Sequence, residues 1–538
     1  MQKNVAMTIL EQLSAWGVKN IYGYIGDDIF YFFDALARQS SITFYQVRHE
    51  ENAAFMASAQ AKLTGELGVC IADGGPGTLH LLNGLADAYS DRAPVLAITG
   101  QVALKDIGTN VKQYVDQQSL LRPIASYTTL LCDQASTIEV LEKAYRCAVP
   151  GRTVAHVSVP MDVLAMPCNV QTIPEAPYLN TQPLSSPEVL DGAVQMLEKA
   201  QRPVILVGEG GRKAGAMLAG LSSRWGAAVI NTLQGMGAVD SALPLYVGGL
   251  GHAGSPASAR ILKEADVCLI IGANWWPKKY VPQNISIVQI ATNPADIGAT
   301  TPVSYGVAGD AQVVIDYILK KINTNPNTEW LNYIKQEIAK WLTELEKEVN
   351  VQSSPVHPAA VIAAIQKAVT DDAILCIDTG DNTVWFGRDF RPRGQRVLIS
   401  GKWRSMGFAL PAALAAKINS PRKRVLALVG DGGLSMNMSE LLTAVKYSLP
   451  ITVVVMNNGS LSMEKNKMAA GGLIPKGTSL HNPDFAKFAE CCGGQGFRVE
   501  KFEDLQEAIQ AAFNSPGPTV VDVRVADFAV PGTAMPGV

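Results

Sequence analysis

Arg424-Val-Leu-Ala-Leu-Val-Gly430-Asp431-Gly432-Gly433 and, further on, Ile451-Thr-Val-Val-Val-Met-Asn457-Asn458 carry the reading of this chain. The first is a short apolar run ending in Gly-Asp-Gly, and the second is a β-branched run ending in Asn-Asn. Ser439 to Tyr447 between them reads as a helix, so the unit is strand, helix, strand. Strands joined in this way lie parallel with their carboxyl ends side by side, and such sheets bind ligands in the crevice outside those ends. Asp431 and Asn458, 458 − 431 = 27 positions apart, then both project into the crevice.

Their chemistry suits a hard cation. A carboxylate, a side-chain amide and a nearby backbone carbonyl are oxygen ligands for Mg²⁺, which completes its octahedron with water and phosphate oxygens. Gly430, Gly432 and Gly433 let the backbone approach an anion closely, and the N–H groups opening the next helix face it. A diphosphate held through Mg²⁺ is the implied ligand. The bland alternative, a tight turn followed by an unrelated Asn-Asn turn, is disfavoured by the pairing of the two motifs at this spacing. A P-loop is excluded, because the chain contains no Gly-x-x-x-x-Gly-Lys-Ser/Thr.

At 538 residues the chain is too long for one core. A hydrophobic content of 48% and a net charge of −3 describe an ordinary globular protein, with no basic stripe for nucleic acid and no acidic tail. The eight cysteines form no Cys-x-x-Cys pair, and several sit in apolar runs, which suits a cytoplasmic enzyme. The adjacent Cys491 and Cys492 read as packing residues or as a redox pair. No signal peptide, no apolar span of ~18 residues and no amphipathic C-terminal extension is visible, so no membrane association is expected.

Apolar strand-like runs alternate with helical periods through all three thirds, which predicts an α/β protein of three doubly wound domains. The expected boundaries are 1–175, 185–325 and 355–538. A Pro-rich stretch from Pro167 to Pro187 forms the first linker, and a charged helix from Trp330 to Val349 leads to the third domain. Whether the first and third domains are duplicates is left open.

The second anchor is Arg48-His49-Glu50-Glu51-Asn52, followed by Gly68-Val-Cys-Ile-Ala-Asp-Gly74-Gly75-Pro76-Gly77-Thr78. With the Gly-Asp-Gly unit it resembles the pyruvate oxidase and acetolactate synthase branch of the thiamine diphosphate enzymes over nearly the whole chain. The resemblance implies a pyrimidine-binding domain, a middle domain and a diphosphate-binding domain in that order. It implies that Glu50 is the activating glutamate, bonded to the aminopyrimidine so that the thiazolium C2 proton is removed at neutral pH. Glu51 is its surface or interface neighbour. Lys402-Trp403-Arg404-Ser405-Met406-Gly407 matches the pyrimidine-holding segment, with Met406 as the hydrophobic prop and backbone groups of Arg404 and Met406 on the ring. Asp431, Asn458 and the carbonyl of Ser460 would hold Mg²⁺. In the family Glu50 and the diphosphate site come from different subunits, so a homodimer is the minimum and a tetramer is common. His49 and His80 are expected to be structural.

The middle-domain turns Gly208-Glu-Gly-Gly211-Arg212 and Gly272-Ala-Asn274 are similar to those that bind FAD in pyruvate oxidases, which makes Gly211, Arg212 and Asn274 candidate flavin contacts. One departure stands against this. Relatives carry an acid for the ribose where this chain has Ala291, within Gln289-Ile-Ala-Thr-Asn-Pro294. Lys112-Gln113-Tyr114 replaces a Phe-Gln-Glu over the active site; Gln113 is kept, and Lys112 reads either as a partner for an anionic substrate or as a solvated lysine. Glu464 and Asp27 fall where 2-oxo acid decarboxylases place acids that relay protons. The resemblance therefore implies decarboxylation of a small 2-oxo acid, pyruvate first, with oxidation through FAD. A non-oxidative decarboxylase or a carboligase is the alternative, and a relative without catalysis is opposed by the intact Glu50, Asp431 and Asn458.

Overall fold

The computed structural model describes residues 3–174 and 184–533; the middle of the expected linker and the last five residues lie outside them. Three six-stranded sheets follow one another along the chain, and every pair of neighbouring strands within them is parallel. The protein is an α/β protein of three doubly wound domains, as the alternation of runs predicts.

The third sheet holds the opening motif. Its strands run in the spatial order Arg396–Ile399, Ile374–Ile377, Val425–Gly430, Thr452–Asn457, Thr519–Arg524 and Gln495–Val499. Val425–Gly430 and Thr452–Asn457 lie at its centre, in register from Leu426 against Thr452 to Gly430 against Met456. Both faces of these strands are covered, so their residues are continuously apolar rather than alternating, and Leu426, Ala427, Leu428, Val429, Val453, Val454 and Val455 are fully buried. The helical part begins earlier than the sequence suggests. A helix runs Asp431–Asn437 directly after the strand, a 3₁₀ turn covers Met438–Glu440, and a second helix runs Leu441–Lys446. Gly-Gly-Leu-Ser-Met-Asn has no apolar period, which hides the first of them.

The first sheet is ordered Thr43–Gln46, Asn20–Gly23, Gly68–Ala72, Val95–Gln101, Val154–Pro160, Tyr127–Leu130. Numbered along the chain within each domain, the first and third sheets share the order 2-1-3-4-6-5. The middle sheet, from Pro203–Val207 to Tyr305–Ala308, has the order 3-2-1-4-5-6 known from dinucleotide-binding folds.

The first and third domains also share one core. The helix Glu50–Thr64 packs on Pro76–Ser90 and on Ala409–Asn419 of the third domain, with Phe55 set edge-on against Phe408. Lys62 lies in this seam, bonded at 2.7 Å to both Asp87 and Asp91 and at 3.0 Å to the carbonyl of Ile399. A buried lysine with two carboxylates has a full set of partners, so it ties strand 396–399 to the first domain rather than leaving an uncompensated charge. Among the described residues no helix is long and apolar enough to cross a membrane, and all eight cysteines are free.

Candidate active site

A cleft opens at the carboxyl edge of the third sheet, where open α/β sheets bind ligands. Its walls come from three turns. Thr379 to Asn382 begin one helix, Gly430 to Gly433 begin another, and Asn458 to Glu464 follow the Asn-Asn motif. Met406 lies against Gly432, where a Cβ would come 3.3 Å from its methyl group. Of the residues singled out in the sequence, the cleft thus gathers Met406, Gly430, Asp431, Gly432, Gly433, Asn458, Ser460 and Glu464.

Asp431 is only 3% exposed. One of its oxygens accepts the N–H of Gly432 at 2.9 Å; the other accepts the N–H of Gly459 at 2.7 Å and the Asn482 amide at 2.8 Å. Burial raises its pKa while these donors oppose the rise. The side-chain oxygen of Asn458 accepts from the Ser460 N–H at 3.1 Å, and its amide meets the Ser462 hydroxyl at 2.7 Å. Two hard oxygen donors and a turn carbonyl at the mouth of a glycine-lined cleft fit Mg²⁺ and a diphosphate.

The sequence reading missed Asp378, which ends the neighbouring strand. It is 1% exposed, accepts the N–H groups of Thr379 at 2.7 Å and Gly407 at 3.1 Å, and would meet a Cβ on Gly433 at 2.9 Å. Burial pushes its carboxyl up to about 7. Asp378 thereby joins the loop of Met406 to the Gly-Asp-Gly turn. Its signal was available: Ile374-Leu-Cys-Ile-Asp378-Thr-Gly380 repeats the pattern of an apolar run ending in an acid and a glycine. Arg404 is not part of the cleft wall; its φ of 61° is in the left-handed region, and its side chain is exposed.

Glu50, Gln113, Asp27 and Lys112 form a second cluster, on the first domain. Glu50 opens the helix Glu50–Thr64 and contacts His80 Nδ1 at 2.9 Å. Lys112 donates to Asp27 at 3.2 Å; both are well exposed, at 76% and 60% of the side chain. The neighbouring Asp28 is the buried member of the pair, with its N–H on Asp73 at 2.8 Å. Burial, then the charges of Asp73 and Asp27, raise Asp28 to about 6. Gln113 has a φ of 65°, and its carbonyl lies 2.3 Å from a Cβ built on Gly75, so that turn admits only glycine. The cleft walls come from residues 358–528, and none of Glu50, Gln113, Asp27 and Lys112 lines it.

In the middle domain Gly211 is buried and the carbonyl of Asn274 accepts from the Thr300 hydroxyl at 2.8 Å. The guanidinium of Arg212 is already engaged. It pairs with Glu209 and donates to the carbonyls of Gln234 and Met236, while Arg396 of the third domain holds the other side of Glu209 at 2.7 Å. Ala291 ends its strand and carries no acceptor for a ribose. The sheet order fits a dinucleotide, while Arg212 already has protein partners and the side chain of Ala291 offers no acceptor.

Three family models match the chain. They describe the N-terminal thiamine pyrophosphate-binding domain of thiamine pyrophosphate enzymes over residues 3–120, the central domain over 190–318 and the C-terminal binding domain over 378–523. The chain is 36% identical, across 97% of its length and 92% of the relative, to the "Putative thiamine pyrophosphate-containing protein YdaP" of Bacillus subtilis (strain 168). It is 33% identical to the pyruvate oxidase of Lactiplantibacillus plantarum, covering 94% of this chain and 85% of that one. It is 29% identical to the large subunit of acetolactate synthase isozyme 1 of Escherichia coli (strain K12), covering 96% and 93%. This protein belongs to the thiamine pyrophosphate enzyme family, among relatives that include pyruvate oxidases and acetolactate synthases.

Proposed function

We propose that this protein is a thiamine diphosphate- and Mg²⁺-dependent enzyme that decarboxylates a small 2-oxo acid, pyruvate first, in a reaction like that of pyruvate oxidase. The observation that carries the reading is the cleft: Asp431, Asn458 and the Ser460 turn stand at its mouth, beside glycines that leave the backbone open to a diphosphate. Bound there, thiamine diphosphate supplies the carbon that adds to the 2-oxo acid and takes up the electron pair left by CO₂.

The chain's own residues do the rest. Asp431 and Asn458 orient the metal side, and the Asp431 carboxylate is itself held by Gly459 and Asn482, so it needs little reorganisation when a cation arrives. Met406, whose methyl group lies near Gly432, would support the ring. Glu50 holds a proton at the pyrimidine. Because Glu50 lies outside the cleft of its own chain, this reading has a second copy deliver it, in a homodimer or a larger homo-oligomer. A flavin in the middle domain would accept the two electrons in an oxidase; given Ala291 and Arg212, no step here depends on it.

Glu464 favours a second reading. It lines the cleft as an acid, and proton delivery from it would release an aldehyde without oxidation. Purified protein should bind thiamine diphosphate only with Mg²⁺ and release CO₂ from pyruvate. Failure of both sinks the proposal. A visible flavin spectrum and dependence on an electron acceptor separate oxidase from non-oxidative decarboxylase.

A further inference from the structure

We infer that Asn83 is a positioning residue that sets the loop Lys402–Gly407 in register with the start of the helix carrying Glu50. The inference rests on the reading above, in which that loop receives thiamine diphosphate.

Asn83 lies in the helix Pro76–Ser90, one turn after His80. Its oxygen accepts the indole N–H of Trp403 at 2.7 Å; its amide donates to the Ser405 hydroxyl at 2.9 Å and to a carboxylate oxygen of Glu51. An asparagine side chain has two N–H donors, and both are used. Adjacent glutamates thus meet residues one turn apart on a facing helix, Glu50 with His80 and Glu51 with Asn83. Glu51 meets a residue that also reaches the third domain.

The contacts continue into the loop. Ser405 passes its own hydroxyl hydrogen to the carbonyl of Met406 at 2.9 Å, so the chain of bonds runs from Glu51 through Asn83 and Ser405 to the residue that lines the cleft. Between the two residues Asn83 holds lies Arg404, in a left-handed conformation uncommon for a side chain other than glycine. Such a residue keeps its conformation only where the surroundings fix it. The ends of the loop are fixed elsewhere: Asp91 accepts the N–H groups of Gly401 and Lys402 at 2.7 Å each, and Asp378 accepts that of Gly407. In the middle the Ser400 hydroxyl accepts the Ser405 N–H at 2.9 Å, and Asn83 holds the side chains on either side of Arg404.

The requirement for an amide is specific. An aspartate in its place would set a second carboxylate against Glu51 and could not donate to Ser405, whose hydrogen is committed to Met406. Asn83→Asp in the full-length protein should weaken thiamine diphosphate binding with Mg²⁺ about tenfold by calorimetry, the scale of two lost hydrogen bonds. Without cofactor, amide hydrogen exchange across 401–407 should quicken, while exchange at 425–430 stays as in wild type. Trp403→Phe removes only the indole donor, and it should move both readouts the same way by about threefold; it decides the question if Asn83→Asp does not fold. Wild-type affinity and exchange in these variants, with binding still lost in Asp431→Ala, would overturn the role of Asn83 and leave the cofactor reading standing. A wild-type protein that binds no thiamine diphosphate removes both.

Discussion

The carboxylate of Asp431 accepts the backbone N–H of Gly459 at 2.7 Å, which locks the turn after one central strand to the turn after its neighbour. The same oxygen accepts from Asn482 at 2.8 Å. The two sequence motifs are therefore one structural unit, and the oxygens proposed to hold a cation are fixed by the chain's own hydrogen bonds.

Asp431→Ala removes both the anionic ligand and this lock. Affinity for Mg²⁺ and for thiamine diphosphate should fall together by at least about a hundredfold, since loss of supporting groups alone costs 10–100-fold at metal sites. Unchanged cofactor affinity in calorimetry would contradict the assignment of the cleft.

Glu50→Gln keeps the size of the side chain and leaves the cleft untouched, because Glu50 stands on another domain. Cofactor affinity should change little, whereas exchange of the C2 proton should slow by about a hundredfold or more. Exchange at the wild-type rate, followed by NMR of the loaded enzyme, would remove Glu50 as the activator.

Glu464 is 61% exposed and pairs with Lys467 at 3.3 Å across one helical turn. If it delivers a proton, wild type releases aldehyde from pyruvate, and Glu464→Val suppresses that release without affecting any flavin reduction. An aldehyde yield that is nil in wild type, or equal in the variant, assigns Glu464 to the surface.

Asp389 ends the helix that begins at Asp381 and is 6% exposed, with one carboxylate oxygen lacking a hydrogen-bond partner. Burial, then the charge of Glu348, push it from 3.8 up to about 8, with Arg388 opposing. Between about pH 4 and about pH 8 the folded chain keeps a proton there that the unfolded chain has released, so this group lowers stability as pH rises through that window. Asp389→Asn should raise stability at pH 7 by on the order of 2 kcal/mol and have no effect near pH 3. Thermal melts at the two pH values check this, and an equal effect at both would refute it.

The sheets were legible because buried parallel strands leave uninterrupted apolar runs, as Val425 to Val429 and Val453 to Val455 show. The cleft was legible where ligands sit at strand ends. What stayed hidden depends on three-dimensional neighbours. Nothing in Gly26-Asp27-Asp28 tells which acid is buried; that is decided by Asp73, 45 positions away from Asp28. The bond between Glu50 and His80 spans two helices, and the engagement of Arg212 by Glu209 and Arg396 crosses a domain boundary. Asn83 gave no signal, since an amide on a helix is unremarkable until its partners are known.

The shared strand order of the first and third sheets has a consequence in the turns themselves. The third strand of each sheet, Gly68–Ala72 and Val425–Gly430, is followed directly by the same tripeptide, Asp73-Gly74-Gly75 in one and Asp431-Gly432-Gly433 in the other, 431 − 73 = 358 positions apart. The same corner has two different occupations. In the later copy the acid faces an open crevice, so its loss is felt by a ligand. In the earlier copy the acid receives the backbone of Asp28, and a Cβ on Gly74 would stand 2.2 Å from that residue's carboxylate, so the crevice is filled by protein and a change there is felt by the fold.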